Sequence, residues 1–347
     1  MRIDVVDPSA FTPPYDRALC AGLARAGAHV RLVTSAFVHG AVPRAEGYDV
    51  DERFYRGVPG SGRARLAAKL ARHTPDMLAA ARAARRCAVD VVHFQWLAVQ
   101  PLDAVLLRAF PRPLVLTAHD VLPREPRPGQ RAAQRGLYRR VDAVVVHSEH
   151  GRERLVRELG VPEDRVTVIP HGVLHPAGDD GLPAELAAVE GPVALFFGLL
   201  RPYKGLDVLL EAWRGIEGAE LWVVGMPRMD TTALKASAPP GVRFVERFVP
   251  DPQVAALFRR ADLAVLPYRE IDQSGVLFTA LGAATPLVLS AVGGFPEVAA
   301  AGAAELVPPG DAAALRAALV RLLADAPARE RLAAGARRAA TERYGWD

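Results

Sequence analysis

Lysine is almost absent from this chain of 347 residues. Lys69, Lys204 and Lys235 are the only three, and the other 40 of its 43 basic residues are arginine. A lysine kept against that background marks a place where a compact point charge serves better than a planar guanidinium. Cysteine is scarcer still: Cys20 and Cys87 are too few for a disulfide framework or a thiolate metal cage and fit a reducing compartment. The first residues, MRIDVVDPSA, run straight into a strand-like stretch without the basic, apolar and small-residue regions of an export signal. The expected location is the cytoplasm. Only one charge-free run, Gln273 to Pro296, has the length of a membrane span. Thr279, Thr285, Pro286, Ser290, Gly293 and Gly294 interrupt it, so it reads as a helix and then a strand inside a buried core.

Several common chemistries are also missing. The first loop, DPSAFTPPYD from Asp7, has no GxGxxG, and the chain holds no GxxxxGK[ST], HExxH or GxSxG. The usual signatures of nicotinamide enzymes, nucleoside triphosphatases, zinc proteases and serine hydrolases are thereby removed. His171 and His175 are separated by a helical turn's spacing, but Pro170, Gly172 and Pro176 argue against the helix that would align them. No metal is expected. A formal charge of +4 does not imply nucleic-acid binding.

With 24% charged and 50% hydrophobic residues, the chain reads as a soluble globular protein of about two domains. Short β-branched runs alternate with amphipathic Ala/Leu/Arg runs. The strand candidates begin at Ile3, His29, Val89, Leu114, Ala143 and Val166 in the first half, and at Val193, Glu220, Val242, Leu263, Leu287 and Ala304 in the second. They are apolar without strict alternation, as strands covered on both faces are. Helical spacing between them, such as Leu315, Leu319 and Leu322 after Asp311 as N-cap, completes a repeated βαβ pattern and predicts parallel sheets. The Gly-, Pro- and acid-rich stretch from His175 to Pro192 separates the halves, which places domains at 1–176 and 190–347 and a linker at 177–189. Ligands of such sheets bind outside the carboxyl ends of the strands, here expected in the cleft between two facing domains.

The richest stretch is FFGLLRPYKGLDVLLEAW, Phe196 to Trp213. A strand ends at Gly198, a loop presents Arg201 and Lys204, and a helix starts near Gly205. Two cations beside a helix N-terminus make an anion site. A second such junction follows the strand at Leu263. There Ser274, Gly275 and Val276 open a helix, and Glu270 and Asp272 place carboxylates beside it. An anion site with carboxylates next to it suits a ligand carrying both phosphate and hydroxyls. In the first half, His119 and Asp120, and His147 and Ser148, stand at strand ends.

These segments, with DVVHFQW, VLTAHD, VDAVVVHSE, VTVIPHGV, RRADLAVLPY and TPLVLSAVGGFPEV, resemble the retaining nucleotide-sugar glycosyltransferases of family 4 over nearly the whole chain and in the family's order. The resemblance implies the GT-B fold, an α/β architecture of two doubly wound Rossmann-like domains facing a central cleft, with an acceptor-side first domain and a donor-side second domain. It implies a nucleotide-diphosphate sugar as donor, its diphosphate on Lys204 and Arg201, retention of configuration, and His119 near the transferred sugar. Gly198, Glu270, Asp272, Ser274, Gly275 and Val276 complete the implied donor site. No metal or separate cofactor is implied. The acceptor is a sugar, lipid or small molecule.

The chain departs from that pattern in four places. Pro8, Pro13 and Pro14 occupy the first loop, where the family has a Gly-Gly pair. The family's paired glutamates fall on Ile271 and Thr279, leaving Glu270 and Asp272 as the nearest substitutes for the first. Leu199 stands where an arginine is usual, with Arg201 displaced. The chain stops at RYGWD, where relatives begin a last helix. Two alternatives stay open, a nucleotide-sugar 2-epimerase of the same architecture and a non-catalytic lipid- or glycan-binding relative.

Charge is concentrated in one place. Between Arg53 and Arg86 nine basic residues face Asp76 alone, a local charge of +8 in a chain of +4. Leu66, Leu70 and Met77 are interleaved with them. This segment is a candidate for peripheral contact with an anionic membrane surface at the inner face, or for holding an acidic acceptor.

Overall fold

Each of the apolar runs read as a strand forms one, and all pair in parallel. The computed structural model describes residues 1–347 apart from 41, 43, 59–61, 124–127, 177, 179, 187, 188, 190 and 347. Two compact units emerge, Met1–Pro170 together with Trp346, and His171–Gly345. The division falls ahead of residue 176 because 171–174 pack within the second unit. His171 stacks on Phe278 at 4.3 Å, Val173 N–H donates to Tyr344 O at 2.8 Å and Leu174 N–H to Phe278 O at 3.2 Å. Part of the expected linker, at 177, 179, 187 and 188, and residue 190 lie outside the described residues.

The first unit's strands are β1 (Arg2–Asp7), β2 (His29–Ser35), β3 (Asp49–Phe54), β4 (Val91–Phe94), β5 (Leu114–Thr117), β6 (Ala143–Val146) and β7 (Val166–Val168). They lie in the order β3-β2-β1-β4-β5-β6-β7. The second unit's are β8 (Val193–Phe197), β9 (Glu220–Val224), β10 (Val242–Val245), β11 (Leu263–Leu266), β12 (Leu287–Ser290) and β13 (Ala304–Val307), in the order β10-β9-β8-β11-β12-β13. Both sheets wind outward in two directions from one point, between β1 and β4 and between β8 and β11.

Strand β3 is absent from the sequence reading. Its residues, DVDERF, carry four charges and only an end of the strand is buried, because it is the sheet's edge and charge there discourages pairing with another chain. Central strands are the opposite case: β11 and β12 are buried at every position, covered by helices on both faces. The charge-free run folds as expected, into the helix Gly275–Gly282, β12 and the short helix Phe295–Ala299. Among the described residues no helix is long and apolar enough to cross a membrane. Asp311 is the N-cap of the helix Ala312–Ala324, its carboxylate accepting the Ala314 N–H at 2.9 Å, with Leu315, Leu319 and Leu322 buried beneath.

Candidate functional site

The reversal of strand order opens a crevice at the carboxyl ends of the two central strands of each sheet. In the second unit, β8 is followed by Gly198, whose φ of 105° lies in the left-handed region. A Cβ there would stand 2.9 Å from Lys204 Nζ and 3.0 Å from Val276 Cγ2. Gly198, Lys204 and Val276, read as site residues from three separate segments, are thus brought together. Pro202 sets up the short turn Pro202–Lys204 and Gly205 ends it in the left-handed conformation. That turn folds Lys204 inward: it is 6% exposed, with Nζ 5.0 Å from the centroid of the Tyr268 ring. Leu206, Leu209, Leu210 and Trp213 of the following helix Leu206–Trp213 are buried and fix the turn to the core.

Arg201 is half-buried beside this turn, and its guanidinium has no hydrogen-bond or ion-pair partner among the described residues. Its segment pairs with the loop after β9. Leu200 bridges Pro227, and Arg228 N–H donates to Leu200 O at 2.9 Å.

The loop after β11 carries the remaining candidates of this unit. Glu270 is exposed, whereas Asp272 and Ser274 are 4% and 6% exposed. Gly293, at φ 55°, lies so close that a Cβ would meet Ile271 O at 1.8 Å, and Gly294 N–H donates to Asp272 O at 3.1 Å. The Gly-Gly pair thereby cradles this loop. Ser274 is the N-cap of the helix Gly275–Gly282, but its hydroxyl makes no capping bond, and the first N–H groups of such a helix have no partner within it. Ile271 is buried, and the Thr279 hydroxyl donates to Gly275 O at 3.0 Å. Neither position of the family's glutamate pair offers a carboxylate. Among the described residues no group of three or more His, Cys, Asp or Glu side chains is disposed to hold a metal ion.

The first unit's crevice is aromatic and hydrogen-bonded. His119, just past β5, stacks face to face on Trp96 at 4.8 Å and makes a T-shaped contact with Tyr15 at 4.7 Å. Its Nε2 lies 3.1 Å from Gln95 Oε1 and its Nδ1 3.3 Å from His147 Nε2. Among the described residues the buried Gln95 Nε2 has no partner. Trp96 Nε1 donates to Thr12 Oγ1 at 2.9 Å, which ties in the first loop. That loop turns on Asp7, whose carboxylate accepts N–H bonds from Ser9 at 3.0 Å and from Thr12 at 3.4 Å. Asp7 is hydrogen-bonded to Asp16, and burial pushes both carboxyl groups up, most strongly at Asp16, where Asp7's charge adds to it. Ser148, expected at a strand end, is an N-cap, accepting the Gly151 N–H at 3.1 Å.

His147 gives this crevice a pH signature. Burial pushes its imidazole down to about 4, partly countered by its bond to Ile169 O. An unfolded chain protonates histidine at about 6.5, so stability tied to neutral His147 is complete above that pH and is lost as pH falls toward 4. In urea unfolding, the stability difference between wild type and His147→Asn is expected to shrink by up to roughly 3 kcal/mol between pH 7 and pH 4. A difference that stays constant would show that His147 protonates in place without penalty.

Residues 17–175 match the family described as Glycosyltransferase Family 4, and residues 191–325 match Glycosyl transferases group 1. The chain is 35% identical over 228 residues to D-inositol 3-phosphate glycosyltransferase of Xylanimonas cellulosilytica, covering 59% of this chain and 54% of that one. It therefore spans about half the length of that relative. To the enzyme of the same name from Geodermatophilus obscurus it is 30% identical over 327 residues, covering 83% of this chain and 70% of the other. Among solved structures, Anabaena HepE in complex with UDP-glucose superposes with a TM-score of 0.75 at 19% identity, covering 100% of this chain and 96% of that one.

Proposed function

The chain belongs to the family 4 glycosyltransferases, and from that premise we propose that it moves a sugar, with retention, from a nucleoside diphosphate sugar to an acceptor hydroxyl. The observation that carries this reading is Lys204, a buried ammonium at the point where the second sheet reverses, beside Arg201, whose guanidinium has no partner among the described residues, and the N-terminus of the helix Gly275–Gly282. Transfer breaks the bond between the anomeric carbon and a phosphate oxygen, so negative charge grows on the diphosphate as the sugar becomes cationic. Fixed positive groups at that oxygen lower the barrier because they need no reorganisation when the charge appears. Lys204, Arg201 and the N–H groups of Gly275 and Val276 take this role. Gly198 leaves the room that a side chain would fill. Asp272 is assigned to the sugar hydroxyls, with exposed Glu270 at the rim. The departing phosphate itself takes the acceptor proton, and His119 in the first unit serves the transferred sugar.

For the acceptor, the names of the relatives suggest a phosphorylated polyol such as D-inositol 3-phosphate. The deciding experiment supplies a panel of UDP- and GDP-sugars with and without D-inositol 3-phosphate or myo-inositol and measures nucleoside diphosphate release. Release that depends on the polyol, with a glycosylated product, supports transfer. Conversion of the donor to its 2-epimer, or no turnover with any donor, would replace this reading by one of the two alternatives.

We further place the protein in the cytoplasm, visiting the anionic inner face of the membrane through the helix Gly62–Arg86. Leu66 and Leu70 are 59% and 49% exposed and share a helical stripe with exposed Arg63, the arrangement of an interfacial helix. Arg65 and Lys69 are engaged inward, at Val58 O and over the Tyr55 ring. Each basic residue at such a surface contributes about 1 kcal/mol. The protein is expected to co-sediment with phosphatidylglycerol-containing vesicles at low salt and not with neutral ones, and Arg63→Ser with Leu66→Ser and Leu70→Ser is expected to abolish this. Equal sedimentation with both vesicle types rules out the electrostatic part.

A further inference from the structure

Two buried side chains around His119 are given no role by the transfer chemistry above. Gln95 follows β4 and His147 follows β6, and they are 1% and 6% exposed. The half-buried His119 lies between them, with Nδ1 3.3 Å from His147 Nε2 and Nε2 3.1 Å from Gln95 Oε1. The Trp96 indole lies 10° from parallel to its ring and Tyr15 meets it at 87°, so the plane of the imidazole is fixed.

The partners of each nitrogen decide where the protons sit. A carbonyl oxygen only accepts, so His147 Nδ1, 2.9 Å from Ile169 O, carries a proton and donates it. Burial keeps His147 neutral at pH 7, which leaves its Nε2 a bare acceptor. The nitrogen facing that acceptor, His119 Nδ1, is therefore protonated. Two states remain for His119 Nε2. With a second proton the ring is a cation donating to Gln95 Oε1, and the buried Gln95 Nε2 stays without an acceptor among the described residues. Without that proton, a half-turn of the Gln95 amide, whose two ends have nearly the same shape, brings its N–H to the Nε2 lone pair. This second state satisfies a buried donor and buries no charge. The titratable groups around the ring are Tyr15 on the helix Pro13–Arg25, His147, and His93 in β4, whose Nε2 is 2.8 Å from Thr117 Oγ1. Burial holds the Tyr15 phenol protonated, with the adjacent Asp16 reinforcing it, and pushes His93 down to about 4. None of these three is charged at pH 7. Half-buried Asp120, the next residue in the chain, pulls the other way.

Resting on the transfer reading, we propose that Gln95 and His147 are positioning residues that hold His119 as a neutral imidazole protonated on Nδ1, with the Gln95 amide turned to donate to Nε2. Neutrality matters because the sugar becomes cationic as its bond to the phosphate breaks, and an imidazolium beside it would oppose that charge. On acidification Nε2 takes a proton and the amide turns back to accept it. One side chain thus serves both states of the ring, and transfer slows as the second proton arrives.

Nuclear magnetic resonance on the full chain with isotope-labelled histidine and glutamine tests this directly. At pH 7 His119 is expected to show a protonated Nδ1 and a bare Nε2. As pH falls, the second proton is expected at Nε2 with the same midpoint as the acid loss of kcat, and the Gln95 side-chain amide resonance shifts at that midpoint. His147→Phe removes the acceptor but keeps a flat ring. It is expected to move the proton of His119 to Nε2 and to lower kcat about tenfold, the size of one lost hydrogen bond, with the donor KM unchanged. His147→Gln, whose amide oxygen reaches the place of Nε2, is expected to restore the Nδ1 proton and most of the rate. An imidazolium or an Nε2-protonated ring in the wild type at pH 7 overturns the proposal, as does a Gln95 amide indifferent to the titration. A lowered Tm in His147→Phe with Nδ1 still protonated also overturns it, because His147 would then be a fold anchor. Separate midpoints for the proton and the rate overturn the link to transfer. If no donor is turned over at all, the transfer reading falls, while the resonances still decide which proton His119 carries.

Discussion

Lys204→Ala is expected to lower acceptor-dependent turnover by roughly 10² to 10³, the scale of losing one preorganised charged donor. The expectation follows from where the ammonium sits. At 6% exposure it is little screened by water, and its turn is locked between Pro202 and the left-handed Gly205, so in the proposed transfer it would meet the leaving oxygen without moving. Arginine does not replace it: the site where a Cβ on Gly198 would stand is already 2.9 Å from Nζ, and a guanidinium needs more room than that. Lys204→Arg is therefore expected to recover less than a tenth of the lost rate, about 1.4 kcal/mol short of rescue. Steady-state release of nucleoside diphosphate checks both variants, and near-wild-type turnover in Lys204→Ala would remove it from the mechanism.

Gly205→Ala is expected to damage fold and activity together. At φ 69° a side chain costs about 1 to 2 kcal/mol, and its Cβ would stand 2.1 Å from Pro267 O, a contact no rotamer relieves. Either the turn bearing Lys204 or the loop after β11 must shift. A loss of at least roughly 2 kcal/mol in urea unfolding is expected, with turnover reduced as far as in Lys204→Ala because the ammonium is displaced. Gly218→Ala is the control: its φ is 72° but nothing lies within 4 Å of the added atom, so only the backbone cost of about 1 to 2 kcal/mol applies and turnover is unaffected. Equal effects in the two variants would mean that the contact with Pro267 is not what holds the site.

The parts of this molecule that could be read in the sequence are those where neighbours in the chain are neighbours in space. Apolar runs such as Leu263–Leu266 announce buried strands because burial on both faces needs every residue, and Lys204 stands out because its type is rare among the 43 basic residues. β3 was illegible because an edge strand is half-exposed and its charges mimic a loop. Tyr55, His73 and Asp103 come from a strand end and two helices; each alone is ordinary, and only the fold closes the distances to 2.8 and 2.6 Å. The same holds for Asp7 with Asp16 and for Gly293 beneath Ile271, where the sequence showed a pair of glycines but not the carbonyl they approach.

The contiguity of the two units bears on how the protein is made. Every strand of the first sheet, β1 to β7, lies within residues 1–170, so that sheet has all its strands before any residue of the second unit leaves the ribosome, and domains fold as units from the N-terminus during synthesis. What must wait is small and local. Trp346 supplies the ring 5.2 Å from Tyr15 and a carbonyl that accepts from Arg25 at 3.2 Å. The nascent first unit therefore exposes the Tyr15 side of its aromatic crevice until residue 346 has emerged, after every described strand of both sheets.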